Sequence, residues 1–151
     1  MAKDDSNHVK ISLAEVIFEV ARFCESSGKM SPALEGIMEV VKTLMKDQDT
    51  TVRLTLVKHL HLFNKQIGKD NTAEHVVPLL KDMTKDPKWR FRHELLKAIP
   101  SITESLTLEE FKELYEDFQR SFIFDHAFQV REQLWKNFNV FSERYGGVYV
   151  A

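Results

Sequence analysis

Four times along this chain an aspartate is followed, after four residues, by an apolar side chain and then a basic one. The copies run from Asp4 to Lys10, Asp47 to Arg53, Asp86 to Arg92 and Asp125 to Arg131, with Val9, Val52, Phe91 and Val130 at the apolar position. Successive aspartates stand 43, 39 and 39 residues apart, at or just below the period of about 40 to 47 residues of two-helix solenoid repeats. A single copy would carry little weight. Four in one register define a unit that cannot bury its apolar face alone and must stack on neighbours.

The residues between the copies read as helix. Val9, Leu13, Val16, Ile17 and Val20 recur at helical spacing, as do Leu34, Met38, Val41 and Met45, and the same rhythm continues to Phe138, Phe141 and Tyr145. Strand alternation is sustained nowhere, and the chain has only 5 Gly and 4 Pro to interrupt it. Seven helices are predicted. Ser31-Pro32 supplies a capping hydroxyl before a proline at the first helical position, and Asp86-Pro87 reads as the same device. Thr107 with Glu110 is a capping box, and Asn71 with Glu74 three residues on reads as a further start. Gly28, Gly68 and Gly146-Gly147 follow apolar runs, where a left-handed residue closes a helix. Pro78 and Pro100 fall inside the pattern and are expected to bend their helices.

Composition narrows the function. With 21 Lys plus Arg against 23 Asp plus Glu, bulk charge gives no basis for nucleic-acid or membrane-surface binding. The single cysteine, Cys24, rules out an intrachain disulfide and a cysteine-rich zinc site; it reads as core filler in a reducing compartment. No apolar run approaches a membrane span and no secretory leader is evident, so a cytoplasmic or nuclear location is expected. His59 and His61 are two apart and point to different helix faces, unlike a zinc-binding pair. Glu109, Glu110, Glu113, Glu116 and Asp117 read as a solvated acidic face. Neither a phosphate-cradling glycine loop nor a nucleophile motif occurs, so the chain is expected to be no enzyme and to need no cofactor or metal.

In each copy the aspartate stands where the second helix of a pair begins and can satisfy exposed amides there. The base six residues later can pair with the aspartate of its own or the next repeat. Asp4, Lys10, Asp47, Arg53, Asp86, Arg92, Asp125 and Arg131 would then form a ladder down the stack. The pattern between paired helices resembles the HEAT repeat. More narrowly, Ile67 to Leu79, Asp86-Pro87-Lys88-Trp89-Arg90-Phe91-Arg92 with Ile99-Pro100 behind it, and Asp125 to Glu132 resemble the scaffolding A subunit of protein phosphatase 2A, in its carboxy-terminal half. Lys10 stands where that family has arginine, and Phe128 where tyrosine is expected.

The resemblance implies an all-α solenoid of about three and a half antiparallel helix pairs in a right-handed superhelical stack. Its units fall at about 1–28, 29–68, 69–106 and 107–147. It implies a regulatory scaffold that binds a serine/threonine phosphatase catalytic subunit through the turns between paired helices. These turns are Asp4 to His8, Asp47 to Thr51, Asp86 to Arg90 and Phe124 to Gln129. Trp89 and Arg90 belong to the residue types richest in interface hot spots, and the repeat pattern demands no tryptophan there. The catalytic-subunit contact carries over to Trp89 and Arg90, flanked by Lys88, with His126 and Phe128 on the next turn. An adaptor for a related phosphatase, a transport receptor or a filament is the alternative. The first helix lacks a partner before it, so Val9, Leu13, Val16, Ile17 and Val20 are expected to present an uncapped apolar face. Gly146 to Val150 reads as the start of a further helix. Self-association through such ends is the other partner the sequence suggests.

Overall fold

The computed structural model describes residues 2–24 and 31–146, with side chains from Ser6 onward. Among the described residues seven α-helices follow one another: α1 (Ala2–Ala21), α2 (Pro32–Met45), α3 (Thr50–Asn71), α4 (Val77–Met83), α5 (Trp89–Ile102), α6 (Leu108–Phe122) and α7 (Phe128–Tyr145). No strand occurs among the described residues. The odd-numbered helices form one layer, α1 on α3, α3 on α5 and α5 on α7. The even-numbered helices cover it, with α2 against α1 and α3, α4 against α6, and α6 against α7. This is an all-α solenoid. It exposes 8957 Å², above the roughly 7,900 Å² that a compact monomer of this mass would show.

Local chemistry sets most helix ends. Ser31 accepts from the Leu34 amide with Pro32 behind it, and Thr107 and Glu110 close a reciprocal capping box. Gly146 ends α7 at φ 71. Gly68, at φ 81 and ψ 176, breaks the helical path inside α3, a conformation open essentially to glycine alone.

Several expectations are corrected. Asn71 is no cap: it sits at helical φ/ψ, and its Nδ2 donates to the Ile67 carbonyl at 2.7 Å. The new helical path begins directly after Gly68, whose φ makes the break that a cap would otherwise mark. Asp86-Pro87 is no cap-and-proline start either, because the N-cap of α5 is Lys88 and Pro87 lies in the turn before it. Asp4 to His8 is no turn, since these residues already belong to α1. Gly28, Gly147 and the stretch to Val150 lie outside the described residues.

The two internal prolines are accommodated differently. Before Pro78 the chain widens into a π-turn over Thr72–Val76, with the Val77 amide donating to the Thr72 carbonyl. This wider turn relieves the crowding that a proline ring imposes on the carbonyl four residues back. Pro100 stays inside α5, which runs only two residues further before a single 3₁₀ turn at Thr103–Ser105. Side chains from both neighbours take the carbonyls at this end of α5. Asn64 of α3 donates to Ile102 at 3.3 Å, Asn137 of α7 to Leu96 at 2.7 Å, and Arg144 of α7 to Pro100 at 3.0 Å.

Candidate protein-binding edge

One motif recurs at the turns preceding α3, α5 and α7. The aspartate carboxylate accepts from the amide two residues on, at 2.9 Å in each case: Asp49 onto Asp47, Lys88 onto Asp86, Ala127 onto Asp125. The arginine six residues on donates back to the aspartate's own carbonyl, Arg53 to Asp47 at 2.5 Å and Arg92 to Asp86 at 2.7 Å, with Arg131 to Asp125 in the same arrangement. The residue after the aspartate is Gln48, Pro87 or His126 without disturbing the pattern, because it uses backbone amides and carbonyls.

The turns are bolted to one another by the same side chains. Lys10 reaches Asp47 at 2.7 Å, Arg53 reaches Asp86 through Nε at 3.1 Å and Nη2 at 2.8 Å, and Arg92 reaches Asp125 at 2.7 and 2.9 Å. Arg53 and Arg92 thus tie their own turns to the aspartate of the next repeat, Lys10 ties α1 to the first of these turns, and forked arginine contacts fix orientation as well as distance. The Lys10 ammonium, helped by the Asp49 amide, holds the Asp47 carboxyl below its ordinary range. For Asp125 burial acts in the opposite sense, but the Arg92 guanidinium and the Ala127 amide outweigh it and lower the pKa. Asp125 is accordingly an ionised structural acceptor, and its neighbour His126 is exposed and separate from that bond.

This ladder places the turns side by side along one edge. Trp89 is the first residue of α5 and is 37% exposed. The Arg90 guanidinium lies 5.6 Å from its ring centroid, and His93 meets it edge-on at 6.5 Å. Beside the indole, Thr50, Leu54, Pro87 and Lys88 line a shallow groove that Trp89 and Arg90 complete. Lys88 and Arg90 are exposed. On the following turn Phe128 is 63% exposed, with the Arg131 guanidinium 5.9 Å from its ring. An indole about a third exposed with a guanidinium over its ring pairs the aromatic and arginine types that protein interfaces enrich.

Sequence reasoning missed Phe124, which is 88% exposed on the same turn as His126. The signal was present: the residue just before the aspartate is Lys46 and Lys85 in the preceding turns and Phe124 here. The acidic stretch of α6 is solvated, with Glu113 and Glu116 exposed, and Lys81 of α4 bridges two of its members, Glu113 at 3.0 Å and Asp117 at 2.9 Å. Cys24 is partly buried at the margin of the core, beside an exposed Phe23. No helix among the described residues is long and apolar enough to cross a membrane.

The family model of the PIK3R4-like middle domain, a helical HEAT-like family, matches residues 25–117, more than half of the chain. The matched stretch runs from before α2 into α6 and includes Trp89 and Arg90, whereas His126 and Phe128 lie beyond it. The match does not extend to the phosphatase scaffold that the sequence resembles. No curated protein matches the chain.

Proposed function

We propose that this chain, which belongs to the PIK3R4-like middle-domain family, is a non-catalytic scaffold that holds a protein partner along the edge formed by its inter-helix turns. The observation that carries this reading is the exposed Trp89–Arg90 pair at a turn locked by the Arg53–Asp86 ion pair. A rigid base beneath a partly exposed aromatic lowers the entropic cost of docking. The scaffold class rests on the helical-repeat family. The finer identity of the partner, a serine/threonine phosphatase catalytic subunit of the 2A type, rests on the resemblance of the Lys88-Trp89-Arg90 turn.

The family match supports a second reading, in which the same edge serves an adaptor for another partner class. Affinity capture with the tagged chain, followed by identification of the bound proteins, separates the two. A phosphatase catalytic subunit that is captured by the native chain and lost with Trp89→Ala and Arg90→Glu supports the first. Capture of other proteins through the same two residues supports the second. Capture unaffected by either substitution overturns the edge as the binding site.

A further inference from the structure

The groove beside Trp89 differs in charge from the chain around it. The chain has 21 Lys plus Arg against 23 Asp plus Glu, yet the groove's wall of Thr50, Leu54, Pro87, Lys88, Trp89 and Arg90 holds two cations and no carboxylate. The acid of this turn, Asp86, cannot answer them. Its side chain is 9% exposed, and it receives Arg53 through two nitrogens and the Lys88 amide. On the preceding turn Asp47 is held by Lys10 and the Asp49 amide, and Asp49 caps α3 by accepting from the Thr51 amide. Glu94, one helical turn beyond Arg90, is engaged by Lys97 at 3.4 Å. Lys88 and Arg90 are exposed and enter no ion pair among the described residues. The ladder thus consumes the carboxylates of the edge and leaves cations outward, continued by exposed Lys46 and Lys85, the residues before Asp47 and Asp86. Asp82 is the exposed acid nearest this turn, and it lies in the neighbouring cleft together with Lys46 and Lys85.

The apolar part of the groove narrows the class of occupant further. Leu54 of α3 is partly buried and Trp89 of α5 is 37% exposed, so the indole is set between two helices and does not project. A bilayer needs apolar side chains that can sink about 5–10 Å into it; a groove of this kind receives a chain instead. The N-cap position of α5 is Lys88, with no side-chain cap on the first amides, and the positive end of the helix dipole adds to the two cations there.

We propose that the occupant is an acidic segment of the partner protein, an extended run of glutamates or aspartates with one apolar residue among them. The apolar side chain packs on Trp89 and Leu54, and carboxylates on either side of it meet Lys88 and Arg90 in charge-assisted hydrogen bonds. This rests on the reading of the edge as a protein-binding site and adds the chemistry of what binds there.

Fluorescence anisotropy of the full chain with a short labelled peptide, glutamates around one central leucine, tests this. Binding should saturate, weaken as salt rises, and be absent for the same peptide with lysines in place of the glutamates. Reversing both cations, Lys88→Glu with Arg90→Glu, should reverse the preference, so that the lysine peptide binds and the glutamate peptide does not. A central serine in place of the leucine should cost the native chain about tenfold in Kd and cost Trp89→Ala much less, because the leucine's contact is then already gone. Arg120→Glu, which changes a cation of α6 with a side chain 76% exposed, should bind as the native chain does. Circular dichroism checks that the variants stay folded; if the charge reversal does not, Lys88→Gln with Arg90→Gln replaces it and should lose the glutamate peptide without gaining the lysine one. Equal binding of the two peptides, no binding of the glutamate peptide, or a preference that survives the change of both cations overturns the proposal. So does binding of phosphatidylserine vesicles, through the same two cations, in place of the peptide. If the peptide fails while capture of a partner protein still depends on Trp89 and Arg90, the acidic segment is wrong and the edge stands. If capture ignores both residues, the edge itself is wrong.

Discussion

Asn137 of α7 donates its side-chain amide to the Leu96 carbonyl of α5 at 2.7 Å, the carbonyl that Pro100, having no N–H, leaves without its intrahelical donor. A proline inside a helix removes one hydrogen bond, and a buried carbonyl without a partner is costly. Asn137 is itself buried, with its Oδ1 receiving Gln133 Nε2 at 3.0 Å. The proline of one repeat and the asparagine of the next therefore form a unit. Asn137→Leu should cost about 1–3 kcal/mol in urea unfolding. In a Pro100→Ala background the restored amide serves Leu96, and the same substitution should cost less. Equal costs in both backgrounds would show that the asparagine does not answer the proline.

The ladder should be graded. Arg53 and Asp86 are both nearly out of water, whereas Lys10 is about a third exposed above Asp47. Arg53→Met strands a buried carboxylate and should cost about 3 kcal/mol. Lys10→Met should cost about 1 kcal/mol or less. A larger loss for Lys10→Met would contradict the assignment of the arginine rungs as the structural ones.

Acid should loosen the stack at its turns. Asp47 and Asp125 have pKa values lowered in the folded state, by Lys10 foremost for Asp47, and by Arg92 and the Ala127 amide against burial for Asp125. Their contribution is present above the ordinary carboxylate value of about 3.9 and is lost as pH falls through the lower folded values. The urea midpoint should be level above about pH 5 and fall below about pH 4. In Lys10→Met the fall should be shallower. Lys81, raised by its bonds to Asp117 and Glu113, adds stability that is lost only as pH climbs past the ordinary lysine value, about 10.4.

Gly68 and Gly36 should respond in opposite directions to alanine. A Cβ at either meets nothing within 4 Å, but Gly68 holds φ 81. Gly68→Ala should cost about 1–3 kcal/mol, and Gly36→Ala, inside α2, should stabilise by about 0.5–1 kcal/mol. Thermal unfolding of the two variants checks the sign at each position.

Much of the solenoid is legible in the sequence because its repeat is written in side chains that touch backbone. The aspartate and the base six residues on determine their own turn, and their register then locates the next one. What could not be read there depends on a partner far along the chain. Nothing in the stretch around Asn137 marks it as the donor for Leu96, 41 residues earlier, and the glutamates of α6 give no sign of Lys81. Asn71 failed as a helix start for a local reason: capping residue types are informative only where the backbone leaves the helix, and here Gly68 had already done so. On α1 the apolar stripe mixed two faces, since Ile17 is buried while Val9, Leu13, Val16 and Val20 are exposed. Spacing alone cannot tell a covered side chain from an open one. Trp89 and Phe124 show the same limit at the edge, where exposure distinguishes a surface aromatic from a core one.

Calorimetric titration of the purified chain with a 2A-type phosphatase catalytic subunit bears on the central reading most directly. The account predicts saturable binding that Trp89→Ala weakens by about 2 kcal/mol or more, roughly thirtyfold in Kd, with helical circular dichroism unchanged. Binding of equal strength in the native chain and Trp89→Ala, or no binding by the native chain, would contradict it.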